Sequence, residues 1–120
     1  MNPDNQYDLT ERKNVQIGGE KRELQKIIAI LNKNYPFFQQ KYNIKEVSIV
    51  GSYARGEQTE ESDLDIMVDF KEPIGWEVVD LRDELERLFG IKVDLILKAG
   101  VMQRKRIYAG ILEDAIYVKA

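Results

Sequence analysis

Apolar positions along this chain follow two rhythms. From Glu20 onward, Leu24, Ile27, Ile28 and Leu31 recur at i, i+3, i+4 and i+7, the stripe of a helix with one face toward a core. Pro36 is expected to interrupt that stripe, because proline removes a helical hydrogen bond and collides with the preceding turn; Phe37, Phe38 and Tyr42 are then left for a separate short helical turn. After it the period shortens to two. Glu46 to Val50 alternates and is rich in β-branched residues, which predicts a strand ending in a tight turn at Gly51. A polar loop from Glu57 to Ser62 leads to a second predicted strand, Leu64 to Phe70. Trp76, Val79, Leu81, Leu85, Leu88 and Phe89 then fit a helix from about Ile74 to Phe89, with Gly90 as its C-terminal stop. Ile91 to Leu97 is the third strand, with an acidic residue at its centre. Ile107, Ile111 and Leu112 share a face of a last helix from about Met102 to Glu113, and Ala115 to Lys119 reads as a short extended piece.

Strands interleaved with helices predict one sheet covered by helices, an α/β or α+β layer arrangement. Residues 1–19 show little periodicity and close on Gly18-Gly19, so they are read as an N-terminal arm ahead of a single domain spanning 20–120. The 120 residues and 43% apolar content are consistent with one core.

Composition narrows the chemistry. The formal charge of −3 does not suggest a general polyanion-binding surface, so nucleic acid is not the expected partner. With no cysteine there are no disulfides, thiolate nucleophiles or cysteine-based zinc sites; with no histidine the commonest general base and transition-metal ligand are also gone. Carboxylates, hydroxyls, Lys, Arg, Tyr and the backbone remain, and oxygen-rich sites of that kind suit Mg²⁺ or Mn²⁺. No apolar run approaches the roughly 20 residues of a membrane span, and no signal-peptide pattern opens the chain, so a soluble cytoplasmic protein is expected.

Candidate chemistry concentrates between Val50 and Asp94. Asp63 and Asp65 lie two apart, so in an extended segment both side chains point to one face. Their mutual repulsion is relieved by a divalent cation; the competing reading is a pair of loop-end aspartates capping a strand. Asp94 sits in an otherwise apolar strand, where a buried, unpaired carboxylate would be costly. A metal shared with Asp63 and Asp65, a salt bridge, or exposure on an edge strand would each resolve that cost. Gly51-Ser52 permits positive φ and close backbone approach to an anion, and Arg55 offers a guanidinium fork suited to phosphate oxygens. The P-loop pattern is absent. Arg104-Lys105-Arg106 and the six tyrosines are read as solvated surface or packing.

The pattern Gly51-Ser52-Tyr53-Ala54-Arg55-Gly56, then Ser62-Asp63-Leu64-Asp65, then Val93-Asp94-Leu95 closely resembles the minimal nucleotidyltransferases of the DNA polymerase beta-like superfamily, over about Glu20 to Ala120. That resemblance implies a mixed sheet flanked by helices. It implies Asp63, Asp65 and Asp94 as catalytic, metal-binding carboxylates for two Mg²⁺ ions, with Gly51, Ser52 and Arg55 toward the nucleotide. It also implies transfer of AMP from ATP to a hydroxyl, with a tyrosine of a HEPN-domain toxin, often encoded by the adjacent gene, as acceptor and this chain as the antitoxin. The additional substrate-binding domains of larger relatives have no counterpart here, so a partner, or a homo-oligomer, is expected to present the acceptor. A non-catalytic antitoxin that inhibits by occlusion is the alternative.

Overall fold

A computed structural model describes residues 24–118. The predicted N-terminal arm, the beginning of the first helix and Lys119 lie outside the described residues. The first element, α1 (Leu24–Tyr42), is a single 19-residue helix that runs through Pro36. The expected break does not occur, because the stripe continues past the proline: Ile27, Ile30, Leu31, Tyr35, Phe38 and Tyr42 are all buried. At roughly 1.5–3 kcal/mol per large buried side chain, that burial outweighs the ~3 kcal/mol cost of an interior proline.

The chain continues as β1 (Ile44–Val50), α2 (Gly51–Arg55), β2 (Leu64–Phe70), α3 (Glu77–Phe89), β3 (Val93–Leu97), α4 (Lys98–Val101), α5 (Lys105–Asp114) and β4 (Ile116–Tyr117). The strands form one mixed sheet in the order β3-β2-β1-β4. β1 is antiparallel to both β2 and β4, whereas β2 and β3 run parallel. The α+β sheet with flanking helices matches the predicted class.

Period-two alternation divides the strand residues between the two faces of this sheet. Val47, Ile49, Leu64, Ile66, Val68 and Val93 join the buried residues of α1 and Leu81, Leu85, Leu88 and Phe89 of α3 in one core. A polar tie crosses the two helices: the Tyr42 hydroxyl donates to buried Glu84, and Lys41 Nζ lies 3.0 Å from the same carboxylate.

Two helices depart from expectation. α3 starts at Glu77, and Trp76 and Val79 are exposed, at 88% and 37%. At ~100° per residue Val79 points roughly 200° away from Leu81, so it cannot share the buried stripe. The last predicted helix, from about Met102, begins only at Lys105 as α5, and the separate short α4 precedes it. Arg104 adopts a non-helical conformation (φ −100°, ψ 78°) between α4 and α5. No α5 residue is buried, so Ile107, Ile111 and Leu112 do not contribute to the core as the shared face suggested.

Candidate active site

The end of β1 sets the first half of the site. Gly51 has φ +73°, and a Cβ built there would overlap the Asp65 Oδ2 oxygen and lie 3.1 Å from its Cγ. Glycine at this position therefore satisfies two requirements: a left-handed backbone conformation and contact of the turn with a carboxylate on the next strand. Tyr53 is fully buried in the core and pins α2 from below. Gly56, also left-handed, ends α2 as its N–H turns back to the Tyr53 carbonyl at 3.2 Å.

The loop that follows is tied locally. Ser62 Oγ accepts the Thr59 N–H at 2.9 Å, and the Ser62 N–H donates to the Thr59 carbonyl at 3.1 Å. The Leu64 N–H then donates to the Lys92 carbonyl at 2.8 Å, fixing where β2 begins against β3. Asp63 is thereby held at the mouth of β2 and Asp65 one residue inside it.

Strand register brings the carboxylates together. Asp65 is paired with Val50 of β1 on one side and with Asp94 of β3 on the other. Burial pushes the Asp65 carboxyl above the usual carboxylate range; the neighbouring charges of Asp94 and Asp63 add to this, and Arg55 partly offsets it. The other two predicted acidic residues thus both act on Asp65. Asp65 and Asp63 are half-buried, while Asp94 is exposed on the strand that ends the described sheet. Edge exposure is therefore what relieves the cost anticipated for Asp94. Arg55 is held toward Glu57, with Nε 3.0 Å from Oε1, and Asp114 lies 4.0 Å from its Nη1. Its guanidinium is available to the site as a charge near Asp65, and it is not locked against that carboxylate.

Beside these residues lies an open cleft of about 680 Å³ between α3 and β3, with Asp63 and Asp94 among its lining residues. Sequence reasoning missed its other charged walls, Arg82, Glu86 and Lys92. Arg82 and Glu86 are one turn apart on a helix, a spacing that places them on one side of α3; only the α3–β3 packing shows that this side overlooks Asp94. Arg104, Lys105 and Arg106 are solvent-exposed, as expected.

The donor set fits a hard divalent cation: every candidate ligand is a carboxylate, and Asp65, its pKa raised first by burial, also bears like charges from Asp94 and Asp63 that such an ion would neutralise. Among the described residues no three acidic groups stand close enough to form a ready-made cage.

A sequence profile described as the nucleotidyltransferase domain matches residues 24–118, which include every residue of this site. The chain belongs to the nucleotidyltransferase domain family. Among relatives of this family member, a Methanocaldococcus jannaschii protein provisionally named a protein adenylyltransferase is 45% identical over 100 residues, covering 81% of this chain and 99% of that protein. The protein adenylyltransferase MntA of Thermococcus cleftensis is 35% identical over 96 residues, covering 79% and 95%. A solved structure provisionally identified as a minimal nucleotidyltransferase superposes with a TM-score of 0.66 at 30% identity, covering 78% of this chain and 94% of that one. A toxin–antitoxin crystal structure with AMP-PNP shares the fold, with a TM-score of 0.58 at 16% identity and coverage of 74% and 73%.

Proposed function

We propose that this nucleotidyltransferase moves AMP from ATP to a hydroxyl of a partner protein, a tyrosine of a HEPN-domain toxin, and so acts as the antitoxin of a toxin–antitoxin pair. The observation that carries the reading is the Asp65–Asp94 register beside the left-handed Gly51 turn, with Asp63 acting on the same carboxyl. The 35% identity to a protein adenylyltransferase named MntA, together with the toxin–antitoxin fold likeness, supports the acceptor class.

In this reading the acceptor oxygen attacks the α-phosphorus of ATP. A new P–O bond forms as the bond to the β-phosphate oxygen breaks, and pyrophosphate leaves with that electron pair. In this reading Gly51 lets the backbone approach the leaving phosphates, and the Ser52 hydroxyl donates to them. Asp63, Asp65 and Asp94 would hold Mg²⁺, which when bound supplies Lewis-acid polarisation of phosphate and acceptor oxygens. Asp94, on the exposed edge, is the residue that receives the acceptor's proton in a chain without histidine. Arg55 adds positive charge facing the developing negative charge.

The test mixes the full chain, ATP, Mg²⁺ and the product of the adjacent gene, and reads intact mass. The expected result is an increment of one or more adenylyl groups on the partner. Tight association without any increment would instead favour inhibition by occlusion.

A further inference from the structure

Among the described residues β3 is the terminal strand of the sheet, and its outer edge has a definite polarity. The Lys92 carbonyl faces β2, where it accepts the Leu64 N–H, whereas the Val93 N–H points the other way and donates to Glu86 Oε2 at 2.9 Å. Backbone direction alternates along a strand, so Asp94 and Ile96 turn their peptide groups toward β2, and Leu95 and Leu97 turn theirs outward. Glu86 thus caps only the start of this edge. Leu95 and Leu97 line the cleft of about 680 Å³, so the outward N–H and C=O of Leu95 and the outward N–H of Leu97, whose carbonyl starts α4, border a space within the roughly 300–1,000 Å³ of ligand sites.

The cleft also has a chemical order. Asp63 and Asp94 mark its reactive end, Lys92 brings positive charge, Arg82 does so while 3.4 Å from Asp83 and beside Glu86, and Val78, Val79 and Leu97 supply apolar wall. One turn ahead of Val79, Trp76 is 88% exposed. Tryptophan is rarely so bare on a monomer surface, and it is enriched among the residues that anchor protein partners.

We infer that this cleft is the acceptor-docking groove: an extended segment of the acceptor protein adds as a strand to the outer edge of β3, carrying its hydroxyl to Asp94. The inference rests on the adenylyl-transfer reading and adds to it how the acceptor is held. Main-chain hydrogen bonds to Leu95 and Leu97 supply affinity that is indifferent to sequence, and alternate side chains meet the flanking walls. The segment that fits has apolar residues against Val79 and Trp76 and an acidic residue facing Lys92. A strand in this position enters beside the carboxylates and leaves the Gly51 turn to the nucleotide, so donor and acceptor approach from different sides.

The test uses the full chain with 7-azatryptophan at Trp76, which is the only tryptophan, and the product of the adjacent gene as probe. Hydrogen exchange and Trp76 emission are followed with and without the probe, and adenylyl transfer is measured in parallel. The expected results are slowed exchange at the Leu95 and Leu97 amides, a blue shift of Trp76 emission, and at least a tenfold rise in acceptor KM for Trp76→Ala and for Val79→Lys. ATP affinity should be unchanged in both variants, a split that general misfolding would not produce. Transfer that proceeds while Leu95, Leu97 and Trp76 remain unaffected would overturn the docking groove alone. Protection without transfer would support the groove and sink the catalytic reading; neither protection nor transfer would overturn both.

Discussion

Leu64, Ile66 and Val68 alternate with Asp65, Met67 and Asp69 along a single strand, and the two sets meet different requirements. The first set is fully buried against α1 and α3, where any hydrophobic residue of suitable volume could serve. The second set also buries Met67, 1% exposed, but opens at Asp65 onto Asp94, Asp63 and the Gly51 turn, where one carboxylate is crowded by two others and by a glycine backbone. One face lowers the free energy of the fold. The other holds like charges together at a cost that substrate or cation must relieve, as functional sites commonly do.

The largest effect that separates the faces is expected at Asp65. Asp65→Asn should reduce adenylyl transfer by about 10⁴-fold, on the order of 5.5 kcal/mol of transition-state stabilisation, with the fold intact by circular dichroism. Substitution on the buried side should do the reverse. Phe38→Ala removes a ring that is 1% exposed and stacked on Tyr42, and should cost ~3–5 kcal/mol in denaturant unfolding while the remaining folded fraction keeps its turnover number. Gly51→Ala touches both faces, since its Cβ has no room beside Asp65 and its φ is unfavourable. Activity should fall about 10²-fold, with ~1–3 kcal/mol lost from stability. Equal losses of both kinds in all three variants would erase the comparison.

The smallest effect is a division by pH. The folded-state pKa of Asp65 is raised, so the native chain binds its proton more tightly than the unfolded one. Stability from this group therefore falls as pH rises from the unfolded value near 3.8, and the loss is complete once pH exceeds the folded value. Asp65→Asn should accordingly raise the Tm of the metal-free protein slightly at neutral pH, since partial solvent screening keeps the effect small. On the other face, burial and the hydrogen bond to Glu84 raise the Tyr42 pKa from 10.0. Its contribution is retained below pH 10 and lost progressively above it, as the unfolded chain ionises first. Thermal melts of Asp65→Asn and Tyr42→Phe across acid and alkaline pH should show that each variant removes only its own limb.

Legibility of the sequence followed the same division. β2 was read from Leu64 to Phe70, as found, because a half-buried strand writes its period directly into the residues. Glycine in the turn and the acidic pair were also visible, since few other residues satisfy those positions. Continuity of α1 through Pro36 was hidden: local chemistry argues for a break, and only the burial of Tyr35, Phe38 and Tyr42 shows why it does not occur. Trp76 and Val79 were grouped with the apolar residues of α3 although both are exposed, because apolar character is more visible in a sequence than the angle at which a residue leaves a helix. The same error concealed the cleft, whose Arg82 and Lys92 walls depend on how α3 meets β3 rather than on any spacing along the chain.

The most direct test of the account compares the wild type with Asp94→Asn. Each is incubated with ATP, Mg²⁺ and the product of the adjacent gene, partner adenylylation is followed by intact mass, and nucleotide affinity is measured alongside. The account predicts adenylylated partner with the wild type and none with Asp94→Asn, while both bind ATP with similar affinity. Equal adenylylation by the two proteins would contradict it.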